Sequence, residues 1–166
     1  MAEDTWFVRN AAEVRWFDRG PRGKAGYLEP EDAGFPQVGI NLFVLGPGEP
    51  MAMYHWEADQ EDYLVLSGEA LAIVDGEERA LRRWDFVHTP AGVPHVIVGA
   101  GSGPAVVLAI GAREHQAGEG WGGYPVSDLA MKHDASSLEE TNDADVAYAR
   151  FPGRQAVEFE EGWLPS

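Results

Sequence analysis

Cysteine is absent from this chain. Disulfides, thiolate zinc sites and cysteine nucleophiles are therefore excluded. Basic residues are scarce: 12 Lys and Arg stand against 28 Asp and Glu, for a formal net charge of -16. That balance argues against nucleic acid or an anionic membrane as partner, since both need a basic surface. No apolar run is long enough to cross a bilayer. The start, Met1-Ala2-Glu3-Asp4-Thr5, lacks the basic region and apolar stretch of a signal peptide. The expectation is a cytoplasmic protein. Helix-length apolar periodicity is also lacking through the middle of the chain, which disfavours a βαβ fold.

What is present in quantity is turn chemistry. Twenty Gly and 11 Pro in 166 residues fit many short strands joined by tight turns, and the length suits one domain. Three stretches follow. Residues 1–36 read as an N-terminal arm, anchored by Trp16 and Phe17, and a Gly-, Pro- and charge-rich loop over 18–36. Residues 37–112 carry the β-rich runs: Val38–Leu45, Met51–Glu57, Glu61–Ser67, Ala70–Val74, Arg79–Arg83, Asp85–Thr89, His95–Val98 and Ala105–Ile110. Asp75-Gly76 is a hairpin signal, because a primed turn needs the positive φ that Asp and Gly tolerate. The regular spacing predicts an all-β sandwich or barrel. Residues 113–166 read as a C-terminal extension. It holds a Gly-rich loop at 118–123, a short helix around 143–150 capped by Thr141 or Asn142, and a packed tail over 157–163.

One cluster carries chemistry. His55 and Glu57 are two residues apart, so on a strand both face the same way. Glu61 opens the next apolar run, and His95 follows the turn Thr89-Pro90-Ala91-Gly92-Val93-Pro94. Two imidazoles and two carboxylates from neighbouring strands make a cage for a divalent metal, since a carboxylate pair facing inward needs a cation or protons. A solvated face on an edge strand is the bland alternative. His88, His115 and His133 read as ordinary core or surface histidines.

These residues resemble the motifs of the cupin superfamily. The first motif runs G-x5-H-x-H-x(3,4)-E-x6-G. His55-x-Glu57, three residues, Glu61, six residues and Gly68 reproduce it, with Glu57 in place of the second His and Gly48 one residue too early. The second runs G-x5-P-x-G-x2-H-x3-N. Pro90-x-Gly92-x2-His95 matches, with Trp84 for the leading Gly and Gly99 for the closing Asn. The resemblance covers roughly residues 37–112. It implies an all-β double-stranded β-helix, the jelly-roll barrel, flanked by the N-terminal arm and C-terminal extension. It also implies a homodimer and a metal site at His55, Glu57, Glu61 and His95.

Two nitrogen and two oxygen donors suit one divalent Mn, Fe, Ni, Co or Zn ion per subunit, and four protein ligands on an octahedral ion leave two positions for substrate. The reading is a metal-dependent enzyme acting on a small organic molecule, of dioxygenase, isomerase or lyase type. A non-catalytic small-molecule-binding or sensor cupin is the alternative. By alternation, Phe43, Met53, Tyr63 and Trp84 line the pocket, and Tyr63 is the candidate acid or substrate-binding hydroxyl. Its bland account is a core aromatic. Arg113 could bind a carboxylate or simply end a strand in solvent.

Overall fold

Alternating and β-branched runs dictate the architecture of this computed structural model, which describes residues 6–31, 34–116 and 118–166. In chain order the strands are β1 (Arg15–Asp18), β2 (Lys24–Tyr27), β3 (Val38–Leu45), β4 (Trp56–Glu57), β5 (Glu61–Ser67) and β6 (Glu69–Val74). There follow β7 (Glu77–Arg82), β8 (Phe86–Thr89), β9 (His95–Ala100), β10 (Ala105–Ala112) and β11 (Gly122–Gly123). Helices α1 (Asp128–Met131) and α2 (Ala144–Ala147) precede a final strand, β12 (Gln155–Val157).

Seven strands form one sheet in the order β12-β1-β2-β3-β10-β5-β8, and three form another, β7-β6-β9. All of the pairings are antiparallel. This is the two-sheet jelly-roll architecture expected from the sequence. Leu45, Met51, Tyr63, Val65, Ala72, Ile97 and Val107 fill a common core. Asp75 and Gly76, at φ 49° and 76°, make the predicted hairpin between β6 and β7.

β9 is buried along almost its whole length, which explains its unbroken apolar run. Ile97 joins the common core, while Val96 and Val98 pack with Tyr54, Ile73, Ala130 and Ala135 in a second cluster. The C-terminal extension therefore covers the outside of the small sheet. The large sheet is covered too: Trp16 packs edge-on against Trp163 at 5.4 Å and tilted on Phe159 at 5.8 Å, over Leu42, Val44 and Val106. Trp16 and the tail thus pack together on the barrel's outer face.

Three local expectations are corrected. The stretch 18–36 is not all loop, because β2 pairs with both β1 and β3. Met51–Glu57 is not one strand: only Trp56–Glu57 is, preceded by single bridges at Pro50 and His55. The later helix is one turn long, and Asp143, not Thr141 or Asn142, caps it through a bond from the Asp145 N–H at 2.8 Å. Among the described residues no helix is long and apolar enough to cross a membrane.

Gly99, standing where the family motif has Asn, shows why a side chain is excluded there. A Cβ at this position would meet the Gly46 carbonyl oxygen at 2.1 Å and that of Leu45 at 2.9 Å. Gly99→Ala is expected to cost about 1–3 kcal/mol, since the backbone of the neighbouring turn must move. Gly103 has nothing within 4 Å, so Gly103→Ala should be neutral. Urea unfolding at constant m-value checks the contrast, and equal midpoints for the two variants would refute it.

Candidate metal centre

The site begins with a pair of backbone hydrogen bonds. His55 N–H donates to the His95 carbonyl at 3.1 Å, and His95 N–H donates to the His55 carbonyl at 2.8 Å. Residues so paired in an antiparallel bridge carry their side chains to the same face. The imidazole centroids are accordingly 4.8 Å apart. The Pro90–Gly92 turn is fixed to the first motif, as Gly92 N–H donates to the Glu57 carbonyl at 2.7 Å. Two segments forty residues apart in sequence thus share one small frame.

Each ring is then oriented by its own chain. Nδ1 of His55 lies 2.7 Å from the Met53 carbonyl oxygen, and Nδ1 of His95 lies 2.8 Å from that of Val93. A carbonyl can only accept, so each Nδ1 carries a proton and donates it. Both Nε2 atoms turn inward. Glu61 Oε2 meets them at 3.1 Å from His55 and 2.8 Å from His95, while Glu57 Oε1 stands 3.6 Å from His55 Nε2. Tyr63, two residues after Glu61 on the same face of β5, places its hydroxyl 2.8 Å from His95 Nε2.

Three acceptor atoms therefore converge with one O–H among them, and the group is short of protons. The electrostatics express this shortage. Burial alone would lower the His55 pKa, but hydrogen bonds to Glu57 and Glu61 outweigh it and hold it well above the ordinary value. Burial would likewise raise Glu61, yet the two histidines hold it well below the carboxylate range. Glu57 is raised, chiefly by burial and then by the Glu61 charge. Tyr63 is pushed well above its usual value by burial and the two carboxylates, so its hydroxyl stays protonated. A divalent cation satisfies this set without any added proton, and the donors fit it. Nδ1-anchored imidazoles with inward Nε2 are how proteins present histidine to a metal. His55, Glu61 and His95 bring their ligand atoms within 4.8 Å of one another and could hold an ion.

The group opens into a cavity of about 310 Å³, on whose wall lie His55, Glu57, Glu61, Tyr63 and Phe43. Two expected pocket residues are corrected. Met53 is fully buried and contributes its backbone, orienting His55. Trp84 is 62% exposed at positive φ in the turn after β7, with Arg83 stacked on it, so it faces outward. His88, His115 and His133 pair with Asp62, Asp59 and Glu78 respectively. Arg113 does bind a carboxylate, but an internal one: Glu29, by two nitrogens.

The arms supply cavity residues that sequence reasoning missed: Arg19, Arg22 and Tyr27 from the N-terminal side, Trp121, Tyr124 and Tyr148 from the C-terminal side. Asn41 also lines it, and counting by two from Phe43 along β3 would have found it. β11 pairs with β4, which brings Trp121 and Tyr124 beside His55. Nothing in the sequence pattern announces that contact.

Asp59, between the two glutamates, ties the loop after β10 by accepting from His115 N–H at 2.9 Å and Nδ1–H at 2.7 Å. Burial works against the Asp59 carboxylate, but these bonds win and lower its pKa; Asp59 raises His115 in turn. A lowered acid stabilises above its unfolded value of about 3.9, and a raised imidazole stabilises below about 6.5. The stability lost in His115→Ala should therefore be greatest between about pH 4 and 6.5 and shrink on either side. A pH-independent difference in unfolding midpoint would contradict the pairing.

Comparison with known proteins agrees with the fold. The Cupin domain family (Cupin_2) matches residues 41–111. Among solved structures, a predicted oxalate decarboxylase from Thermotoga maritima superposes with a TM-score of 0.56 at 20% identity, covering 64% of this chain and 98% of that one. A Cupin 2 conserved barrel domain protein from Salinispora arenicola gives 0.53 at 21% identity, covering 67% and 92%. A sugar phosphate isomerase of a cupin superfamily from Silicibacter pomeroyi is 28% identical over 54% of this chain, with a TM-score of 0.49, and this chain spans only 59% of its length. No curated protein matches. The family match over residues 41–111, together with the two-sheet barrel, identifies a cupin domain at the centre of this chain.

Proposed function

We propose that this protein is a metal-dependent cupin enzyme acting on a small organic molecule, with one divalent ion per subunit held by His55, Glu57, Glu61 and His95. The observation that carries the reading is the pair of Nδ1-anchored imidazoles whose Nε2 atoms converge on one carboxylate oxygen. Zn, Mn, Fe and Ni all accept this donor set. When bound, such an ion supplies Lewis-acid polarisation of a substrate oxygen, or oxygen activation if it is iron.

The chain's own residues do the rest. Phe43 gives the cavity an apolar wall. Tyr63, protonated and buried at the cavity floor, donates a hydrogen bond to the substrate or a proton to it. Glu57, raised by burial and by the Glu61 charge, stands on the cavity wall beside His55. Oxidation, isomerisation and lyase chemistry all remain within reach of these parts, and the barrel itself does not choose. A homodimer belongs to the same proposal: Trp84 and Phe86, both 62% exposed, stand beside and on β8, one of the two edge strands of the large sheet.

Elemental mass spectrometry on protein purified without a metal-affinity tag tests the site. Wild type should carry close to one metal per chain, and His55→Ala and Glu61→Gln should lose it. Glu57→Gln, altering the carboxylate farther from the imidazoles, should keep the ion with roughly 10–100-fold weaker affinity. A wild type that holds no metal as purified or after reconstitution would sink the proposal. So would a bound ion with no exchangeable water, because substrate could not reach it.

A further inference from the structure

The cavity has three guanidiniums on its wall, and they are not alike. Arg113 is neutralised by Glu29 through two hydrogen bonds. Arg19 and Arg22 have no such partner: among the described residues no carboxylate oxygen lies within 4.0 Å of either. In a chain with 28 acidic and 12 basic side chains, carboxylates are in excess, so two adjacent arginines without one call for an explanation.

Local structure sets the pair side by side. A 3₁₀ turn over Gly20–Arg22 separates them by three residues, the spacing at which side chains on such a turn eclipse. Arg19 is 94% buried, since only 6% of it is exposed. Its Nη1 donates to the Met51 carbonyl at 2.7 Å and its Nη2 to the Arg22 carbonyl, while the guanidinium lies 4.8 Å from the centroid of Phe43. Arg22 stacks 4.5 Å from Tyr148, and its side chain makes no hydrogen bond among the described residues. The Nε atoms of both are buried without a partner. Two further unpartnered buried atoms, Trp121 Nε1 and Asn41 Oδ1, belong to the same cavity wall. Unsatisfied buried polar atoms are rare, and four of the five among the described residues, three donors and the acceptor Asn41 Oδ1, belong to residues that line this one space.

The charges point the same way. Glu57 and Glu61 offset a divalent ion, and Glu29 offsets Arg113. The carboxylate whose charge acts on Arg19, that of Glu49, accepts from Gly46 N–H at 2.7 Å and pairs with neither guanidinium. Burial and the Arg22 charge lower Arg19 only to about 10, so it remains cationic at neutral pH. The loaded cavity keeps two positive charges.

We infer that the substrate carries an anionic oxygen group, a carboxylate or a phosphate, which the paired guanidiniums of Arg19 and Arg22 hold while the rest of the molecule faces His55, Glu61 and His95. The planar fork of Arg22 matches either oxyanion, Arg19 adds its charge and its unpartnered Nε, and Trp121 Nε1 offers a further donor. The remaining positions, Phe43 and Tyr148, supply flat apolar walls for a short carbon frame. Substrate specificity thereby resides in the N-terminal arm, outside the segment that matches the family. The inference rests on the metal reading only for the other end of the substrate.

Calorimetric titration of the metal-loaded protein with inorganic phosphate and with succinate tests it. Both anions should bind wild type more weakly as salt rises, and the tighter of the two identifies the oxyanion. Arg22→Gln, at a half-buried position, should raise the dissociation constant at least about tenfold with metal content unchanged. Arg22→Lys should lie between, keeping charge without the fork. Arg19→Gln should act like Arg22→Gln, provided that its melting temperature confirms a folded protein. If wild type binds neither anion, or binds both equally well in Arg22→Gln, the inference is overturned; in the latter case metal content shows the metal reading still standing. If wild type takes up no metal but its phosphate binding falls in Arg22→Gln, the arginine pair stands and the metal reading fails.

Discussion

The reciprocal hydrogen bonds between the backbones of His55 and His95 are what the site depends on. They cost nothing that the barrel does not already supply, since β9 must be paired along its length. Yet they bring two imidazoles to one face, at a spacing no loop could hold. Each ring then needs only its i−2 carbonyl to set its tautomer and aim its Nε2 inward. Glu61 reaches the same point because β5 carries it and Tyr63 on the inner face. The result is a knot of acceptors in a buried place. Such a knot is stable only with protons or a cation in it.

The arms change what the barrel can do. Their apolar residues close the outer faces of both sheets, through Trp16 and Trp163 on one side and Ala130 and Ala135 on the other. Their polar residues line the cavity. The same segments that stabilise the fold therefore carry the groups that would meet a substrate, Arg19 and Arg22 before the barrel and Trp121, Tyr124 and Tyr148 after it.

Much of this was legible in the sequence because the signals were local. Period-2 alternation and turn residues gave the strands, and the spacing of His55, Glu57, Glu61 and His95 gave the acceptor group. Tyr63 and Phe43 followed from alternation on regular strands. The failures share one cause, which is the loss of regularity. Counting by two fails for Met53 because Met51–His55 is not a strand, and for Trp84 because the chain turns there at positive φ. Arg19 and Arg22 were hidden for another reason: a Gly- and Pro-rich stretch carries no period from which to read a direction. Contacts between arm and barrel, such as β11 on β4, are set by tertiary packing and have no local signature.

X-ray absorption at the edge of the bound metal is the most direct test of the central claim. The acidic surface of this chain can collect cations without any site, so stoichiometry alone says less than the identity of the ligands. The account predicts imidazole scattering from two histidines together with carboxylate oxygen, and loss of the imidazole signal in His95→Ala. A spectrum of oxygen ligands only, unchanged in that variant, would show that the ion sits elsewhere and that the convergence of His55, Glu61 and His95 is satisfied by protons.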